Sequence, residues 1–210
     1  MEWPFFDLRL TSDEVVLRGV TDADLDPLLA VLPDDLEHDP RHQPFLTPAA
    51  DRRRVFSAET WTHRGTWAPA SWCLDLAVEV DGRVVGVQAL EGEEFPLLRT
   101  VDSFSWLALE VRGRGLATAM RTAVLALAFD HLGAVAAVSS ARLDNAPSLA
   151  VSRRLGYADN GLSRTNSPTG VIELQHVRLL AETWRAADHR VAIEGVEACL
   201  PWFGLDGAVS

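Results

Sequence analysis

The sequence predicts a mixed β-sheet with helices on both faces, in the α+β or α/β class, and three observations predict it. Apolar Trp72, Leu74, Leu76, Val78 and Val80 alternate with Cys73, Asp75, Ala77 and Glu79, the period-two pattern of a half-buried strand. Leu116, Met120, Val124, Leu127 and His131 recur at helical spacing, so residues 115–131 read as an amphipathic helix. Between and after these segments the order reads strand, helices, three strands, helix, strand, helix, two strands, which fits neither an all-β nor an all-helical architecture.

Taken in order, residues 15–20 form the first strand. Thr21 with Asp24 three residues on is a helix-start pair, and the helix runs to about residue 32. Residues 33–48, rich in Pro, Asp and His, read as irregular chain. A second helical stretch covers about 49–67, where Val55, Phe56 and Trp61 are bulky enough to line a pocket or pack on the sheet. After the strand at 72–80, Asp81-Gly82 is a hairpin pair that accepts positive φ, and 84–90 is the return strand. Residues 100–109 form another strand. Gly133 stops the long helix, and 135–140 is a short strand buried on both faces. Asn145 caps a helix whose first turn accommodates Pro147; it ends at Gly156. Residues 157–162 and 171–179 are two more strands, and a last helix starts near Leu180. The tail, with Cys199, Leu200, Trp202 and Phe203, is apolar enough to pack on the body or on another subunit.

The 210 residues suit one domain, with a core over about 15–179 and a C-terminal extension over 180–210. A net charge of −11 disfavours nucleic acid and anionic membrane as partners and favours a cationic amine. Two distant cysteines, Cys73 and Cys199, form no metal spacing and no disulfide framework, so a cytoplasmic setting is expected. Neither a signal peptide nor an apolar stretch of about 18 residues is read in the chain. All 19 basic residues are arginine, so no lysine of this chain can itself be acylated. Seven tryptophans and the apolar tail suggest an oligomer, a homodimer being the simplest.

Chemistry concentrates in Glu110-Val111-Arg112-Gly113-Arg114-Gly115-Leu116-Ala117-Thr118, between a strand and a helix. Glycines let backbone amides approach a ligand, and the helix start offers free N–H groups and a positive dipole end. This corner is an anion site suited to a diphosphate, with Arg112 and Arg114 adding charge. It lacks both the Gly-Lys-Ser/Thr of a Walker loop and the G-x-G-x-x-G of a dinucleotide fold.

Arg112-Gly113-Arg114-Gly115-Leu116-Ala117 fits Arg/Gln-x-x-Gly-x-Gly/Ala, and Asn145-Ala146-Pro147-Ser148, followed by Leu155-Gly156-Tyr157, fits Asn-x-x-Ser with a Leu-Gly-aromatic ending. On these two motifs, in order and at the usual separation, the chain resembles the GNAT N-acyltransferase superfamily over about residues 15–179. Trp106-Leu107 before the corner makes it most similar to the branch of ribosomal-protein N-terminal (alanine/serine) acetyltransferases. The resemblance implies a partly splayed sheet, in which strand 135–140 diverges from strand 100–109 to open a V-shaped slot. It implies that Leu107 and Leu109 pair with the pantetheine arm of an acyl-coenzyme A. Arg112, Gly113, Arg114, Gly115, Leu116, Ala117 and Thr118 wrap its diphosphate, and Asn145 and Ser148 reach it near the sulfur. No metal is implied.

The implied reaction is direct attack of an amine on the thioester, which needs a base, because free amines are protonated at neutral pH. Backbone donors on the strand would stabilise the oxyanion. Asp102, four residues before Trp106, is the candidate base; Glu173 and Glu110 stand behind it. Relatives carry a tyrosine acid seven residues after the Asn, where this chain has Ser152, so Ser148 is the candidate acid. His38, His42, His63 and His131 are weaker candidates. The donor is acetyl-CoA or another acyl-CoA, and Arg52, Arg53 and Arg54 would suit a succinyl group because guanidinium pairs with carboxylate. The acceptor is an amine on a small molecule, peptide or protein. The alternative is a non-catalytic module that senses acyl-CoA.

Overall fold

The sheet begins one strand earlier than the pattern suggests. In the computed structural model, which describes residues 3–36, 45–167, 170–185, 187 and 189–205, β1 (Arg9–Ser12) turns into β2 (Val15–Gly19) through Asp13, at φ +51°. Only Leu10 of β1 is a large apolar residue, so four residues carry too little alternation to be read as a strand. After β2, Asp24 receives the amide and hydroxyl of Thr21 at 2.7 and 2.6 Å and both terminal nitrogens of Arg18 at 2.6 Å. These bonds start the expected helix as a 3₁₀ turn followed by α1 (Leu25–Ala30). Helix α2 (Pro48–Gly65) has the Thr47 hydroxyl as its cap and a proline in its first turn, which needs no N–H partner.

Strands β3 (Ser71–Val80) and β4 (Arg83–Glu93) form the expected hairpin, with Asp81 and Gly82 at φ +50° and +71°. A single turn, α3 (Phe95–Leu98), leads to β5 (Thr100–Leu107), two residues shorter than expected. Helix α4 (Leu116–Ala126) runs on into a π turn over Leu127–His131 and stops before Gly133, whose φ is +67°. β6 (Ala136–Arg142), α5 (Ala146–Arg154), β7 (Ala158–Ser167) and β8 (Gly170–Leu180) follow. The last helix is only α6 (Ala181–Arg185), and the tail adds β9 (Ala192–Glu194) beside β1.

Among the described residues the nine strands order as β7-β8-β6-β5-β4-β3-β2-β1-β9, and β5–β6 is the parallel pair. Strand pleating sends alternate residues to opposite faces. Leu74, Leu76, Val78 and Leu107 pack into the core that contains α4. Ala77, Val87 and Trp106 pack with Leu25 and Leu28 of α1, and Phe56 of α2 meets Trp106 edge-on at 5.9 Å. Helices therefore cover both faces, as expected. The tail seals one end through an aromatic cluster of Trp3, Phe5, Trp67, Trp72, Trp202 and Phe203. Trp184 stacks on Phe129. The tryptophans that suggested a homodimer thus largely find partners within the chain, while Trp61 stays exposed. No helix among the described residues is long and apolar enough to cross a membrane.

The Arg18–Asp24 pair ties β2 to α1. Against the cost of burial, Arg18 and Thr21 hold the Asp24 carboxyl down to about 2. A carboxyl lowered on folding stabilises the fold above its ordinary value near about 3.9, and that contribution is lost as pH falls through the lower value. An Asp24→Asn variant should therefore lose on the order of 2 kcal/mol at pH 7 and show a shallower loss of stability between about pH 4 and 2, read by urea unfolding across that range.

Candidate active site

β5 pairs with β6 over its first two residues and with β4 over the remaining six. Toward β4 its pairing runs from Asp102 opposite Glu91 to Leu107 opposite Gly86. Toward β6 it pairs only at Thr100–Ala136 and Val101–Ala137, after which β6 continues along β8. From Asp102 onward the two parallel strands diverge, and a Ser139 hydroxyl to Ser103 carbonyl bond of 3.4 Å spans the start of the gap. This is the V-shaped slot anticipated above. Its walls offer a row of strand backbone groups without strand partners, the kind of edge that takes up an extended ligand.

The slot leads onto the glycine corner. β5 ends at Leu107, a 3₁₀ turn covers Leu109–Val111, Arg112 is extended, and Gly113 and Gly115 adopt φ +79° and +88°. A Cβ on either glycine would meet nothing within 4 Å, so backbone conformation rather than crowding demands glycine, and the space above both is open. Gly115 caps α4, and the first helical hydrogen bonds are Thr118 and Ala119 N–H to the Gly115 carbonyl, at 2.9 and 3.4 Å. Leu116 is buried, anchoring the helix start, while Ala117 and Thr118 are half-buried.

The two arginines of the corner differ. Arg112 donates Nη1 and Nη2 to Asp35 at 2.6 and 2.9 Å, and Nε to the Leu107 carbonyl at 3.0 Å. It latches the chain after α1 to the corner, and Asp35 raises its proton affinity. Arg114 lies 3.5 Å from Glu14 with about half its side chain in solvent. Leu107 thus has its carbonyl occupied by Arg112. Leu109 sits on the 3₁₀ turn rather than the strand and is exposed.

Across the slot, Asn145 Oδ1 accepts from the Ser148 amide at 3.2 Å and caps α5. Ser148 is half-buried, and its carbonyl accepts the Ser152 hydroxyl at 3.3 Å. Ser152 is buried and faces its own helix, so the position where relatives carry a tyrosine is structural here.

Asp102 lines an open groove of about 460 Å³ with His63, Cys73, Glu91, Glu93 and Thr66. Pleating places Cys73, Glu91 and Asp102 in one row across β3, β4 and β5 on the α2 face. His63 Nδ1 reaches Asp75 Oδ2 at 2.8 Å. The Asp102 side chain is exposed in part, yet its carboxyl is crowded. Loss of water raises its proton affinity, opposed by the Ser103 amide at 2.6 Å, by Arg121 and by His176. Burial and then Asp102 push Glu91 up. For His63, burial is outweighed by Asp75, Glu91 and Glu59, and its proton affinity rises. Burial and the nearby carboxylates push the Cys73 thiol far up, so it is no nucleophile.

Glu173 is exposed on β8 opposite Arg164, and Glu110 is exposed on the 3₁₀ turn; neither lines the groove. His131 ends the π turn, and His38 and His42 lie outside the described residues. Arg52 pairs with Asp34, Arg54 bonds Asp51 at 3.0 Å and covers Phe45, and Arg53 is exposed, so this helix face is occupied by local pairs. Sequence reasoning did not single out Arg121 and read Tyr157 only as the end of the Leu155-Gly156-Tyr157 motif; both side chains are buried. Their signals were an arginine within the apolar run of α4 and the chain's single tyrosine.

A parallel strand pair that opens onto a glycine-bearing corner at a helix start forms a cleft with room for an extended ligand. Residues 14–158 match the GNAT acetyltransferase domain, and the chain belongs to that family. It is an acyl-coenzyme A-dependent N-acyltransferase. Solved structures share the fold. RimJ of Mycobacterium smegmatis in complex with CoA-disulfide superposes with a TM-score of 0.71 at 22% identity, covering 87% of this chain and 91% of that one. RimL, a ribosomal alpha-N-protein acetyltransferase in complex with coenzyme A, gives 0.64 at 15% identity, over 80% and 95%. A spermidine N-acetyltransferase SpeG chimera from Vibrio cholerae and hSSAT gives 0.64 at 14% identity, over 83% and 100%.

The positive φ of Gly115 makes a direct test. Gly115→Ala adds backbone strain of about 1–2 kcal/mol without a steric clash; the free corner relaxes to relieve it and a bound diphosphate must restore it, so coenzyme A affinity should fall about tenfold. Calorimetry showing an unchanged Kd would place the diphosphate elsewhere.

Proposed function

We propose that the chain transfers an acetyl group, or a succinyl group by the same chemistry, from coenzyme A to a primary amine entering along the α2-face groove. The observation that carries this reading is the unpaired β5 edge from Asp102 to Leu107, which joins the groove to the glycine corner. Leu107 and Leu109 guide the pantetheine, the main chain of Gly113, Gly115, Leu116, Ala117 and Thr118 holds the diphosphate, and Arg114 swings onto it. Arg112 fixes the corner's shape through Asp35. Asn145 and Ser148 flank the sulfur from the start of α5.

Asp102 is the general base. Its carboxyl lies on the groove face, one strand from Glu91, where a cationic amine is drawn in and gives up its proton. Ser148 supplies a hydroxyl for the departing thiolate. The reaction proceeds without metal. The acidic groove suits either an N-terminal α-amine of a protein, the acceptor in the name of RimL, or a small polyamine, the acceptor in the name of SpeG. Two free cysteines fit a cytoplasmic enzyme, β9 pairing with β1 fits one domain over 1–210, and a homodimer is the assembly to test by light scattering.

With coenzyme A binding intact, Asp102→Asn should lower kcat about a hundredfold, and Ser148→Ala about tenfold, measured by thiol release. The wild-type rate should fall as pH drops through a value above the ordinary carboxylate range, because burial raises Asp102 and the base must be ionised. Either variant at full turnover removes that residue from the mechanism. Mass spectrometry of the acyl-CoA retained on purification should show acetyl or succinyl; a long-chain acyl group would overturn the donor assignment.

A further inference from the structure

At the wall of the groove stands a cluster of ligating side chains that the transfer reaction does not use. Cys73 and Asp75 are two residues apart on β3, so both side chains leave the same face of the sheet. His63 reaches them from the last turn of α2. The His63 Nδ1, the Cys73 Sγ and an Asp75 carboxylate oxygen all lie within 4.8 Å of one another. One carboxylate faces both neighbours: Asp75 Oδ2 is 2.8 Å from His63 Nδ1, and the Cys73 thiol points at Oδ1 from 3.9 Å. A histidine–aspartate pair alone would account for the first contact but not for a thiol aimed at the same group. The cluster uses only one of the two cysteines, so cysteine spacing carries no trace of it.

Nitrogen, sulfur and oxygen donors in one set suit a borderline divalent ion such as Zn²⁺, whereas Mg²⁺ and Ca²⁺ take oxygen alone. Around tetrahedral zinc, bonds of about 2.0–2.3 Å set neighbouring ligand atoms roughly 3.3–3.8 Å apart, and the three atoms stand at such separations to within about 1 Å. The surroundings favour a cation. Glu91 lies directly opposite Cys73 in the β3–β4 register, on the same face. Glu93 and Asp102 line the same groove. Arg64, the next residue of α2, turns its guanidinium to Asp22 and the Val20 carbonyl, and among the described residues no arginine bonds Asp75. A bound ion displaces the Cys73 proton to solvent and leaves His63 neutral, with its proton on Nε2. The groove is open beside His63 and Cys73, so three protein ligands leave a fourth position for water.

We propose that His63, Cys73 and Asp75 form a binding site for a single Zn²⁺-class divalent ion, with water as the fourth ligand, and that the ion clamps the end of α2 to β3. The acyl transfer takes no step through this ion: Asp102 stands two strands away, on β5. The site is independent of which acyl group or amine the enzyme uses.

The test titrates the chelator-treated full chain with Zn²⁺ by calorimetry and with Co²⁺ by absorption, in wild type, Cys73→Ser, His63→Gln, Asp75→Asn and Cys199→Ser. Wild type should bind one Zn²⁺, and Co²⁺ should give a near-ultraviolet thiolate charge-transfer band with the intense visible bands of a four-coordinate ion. Cys73→Ser should abolish the charge-transfer band. Each ligand variant should weaken Zn²⁺ binding by at least the roughly 10–100-fold that loss of a mere supporting partner costs, and Cys199→Ser should change neither readout. Zn²⁺ should also raise the thermal midpoint of wild type and leave that of the three ligand variants in place. Circular dichroism reports the fold of each variant, and Cys73→Ala stands in if Cys73→Ser does not fold. A wild type that takes up no Zn²⁺, uptake that survives both Cys73→Ser and His63→Gln, or a charge-transfer band that follows Cys199 would overturn the proposal.

Discussion

The arrangement of this molecule follows from one lost set of hydrogen bonds. β5 pairs with β6 through Val101 and then stands alone on that edge, because β6 follows β8 instead. Unpaired strand backbone is a standing cost unless water or a ligand satisfies it. The sheet carries that cost at its centre, where an edge is least expected. The long antiparallel register between β3 and β4 and the buried apolar stripes on both faces hold the sheet together around the gap.

Two charge regimes meet at this gap. On the corner side, positive-φ glycines leave open space at the start of α4, and Asp35 holds Arg112 so that the corner keeps its form. On the α2 face, Glu91, Glu93 and Asp102 line an acidic groove with His63 and Cys73, and Asp75 bonds His63. Cys73, Glu91 and Asp102 share one row of the sheet at low hydration, which raises the proton affinity of Asp102 and Glu91.

Much of this was legible in the residues. The Trp72–Val80 alternation with Asp81-Gly82, the helical spacing from Leu116 to His131, and the cap at Asn145 each became the expected element, because each signal is local. The Arg112–Thr118 corner was legible for the same reason, since chain geometry alone decides where glycine must sit. Boundaries moved where the signal was short. β1 was missed, β5 ends at Leu107, and β4, β7 and β8 run longer than their apolar cores. The tryptophans read as a sign of assembly are mostly packed within the chain, a long-range outcome that spacing cannot reveal.

The sequence by itself determined most of the elements, the glycine corner and the family, because periodicity, capping and glycine placement act over a few residues. Only the tertiary structure decided which charges meet. It gave Arg112 to Asp35, 77 residues away in the chain, and His63 to Asp75. It turned Ser152 inward. Electrostatic interaction depends on distance in space, and separation along the chain carries no trace of it until the sheet has closed.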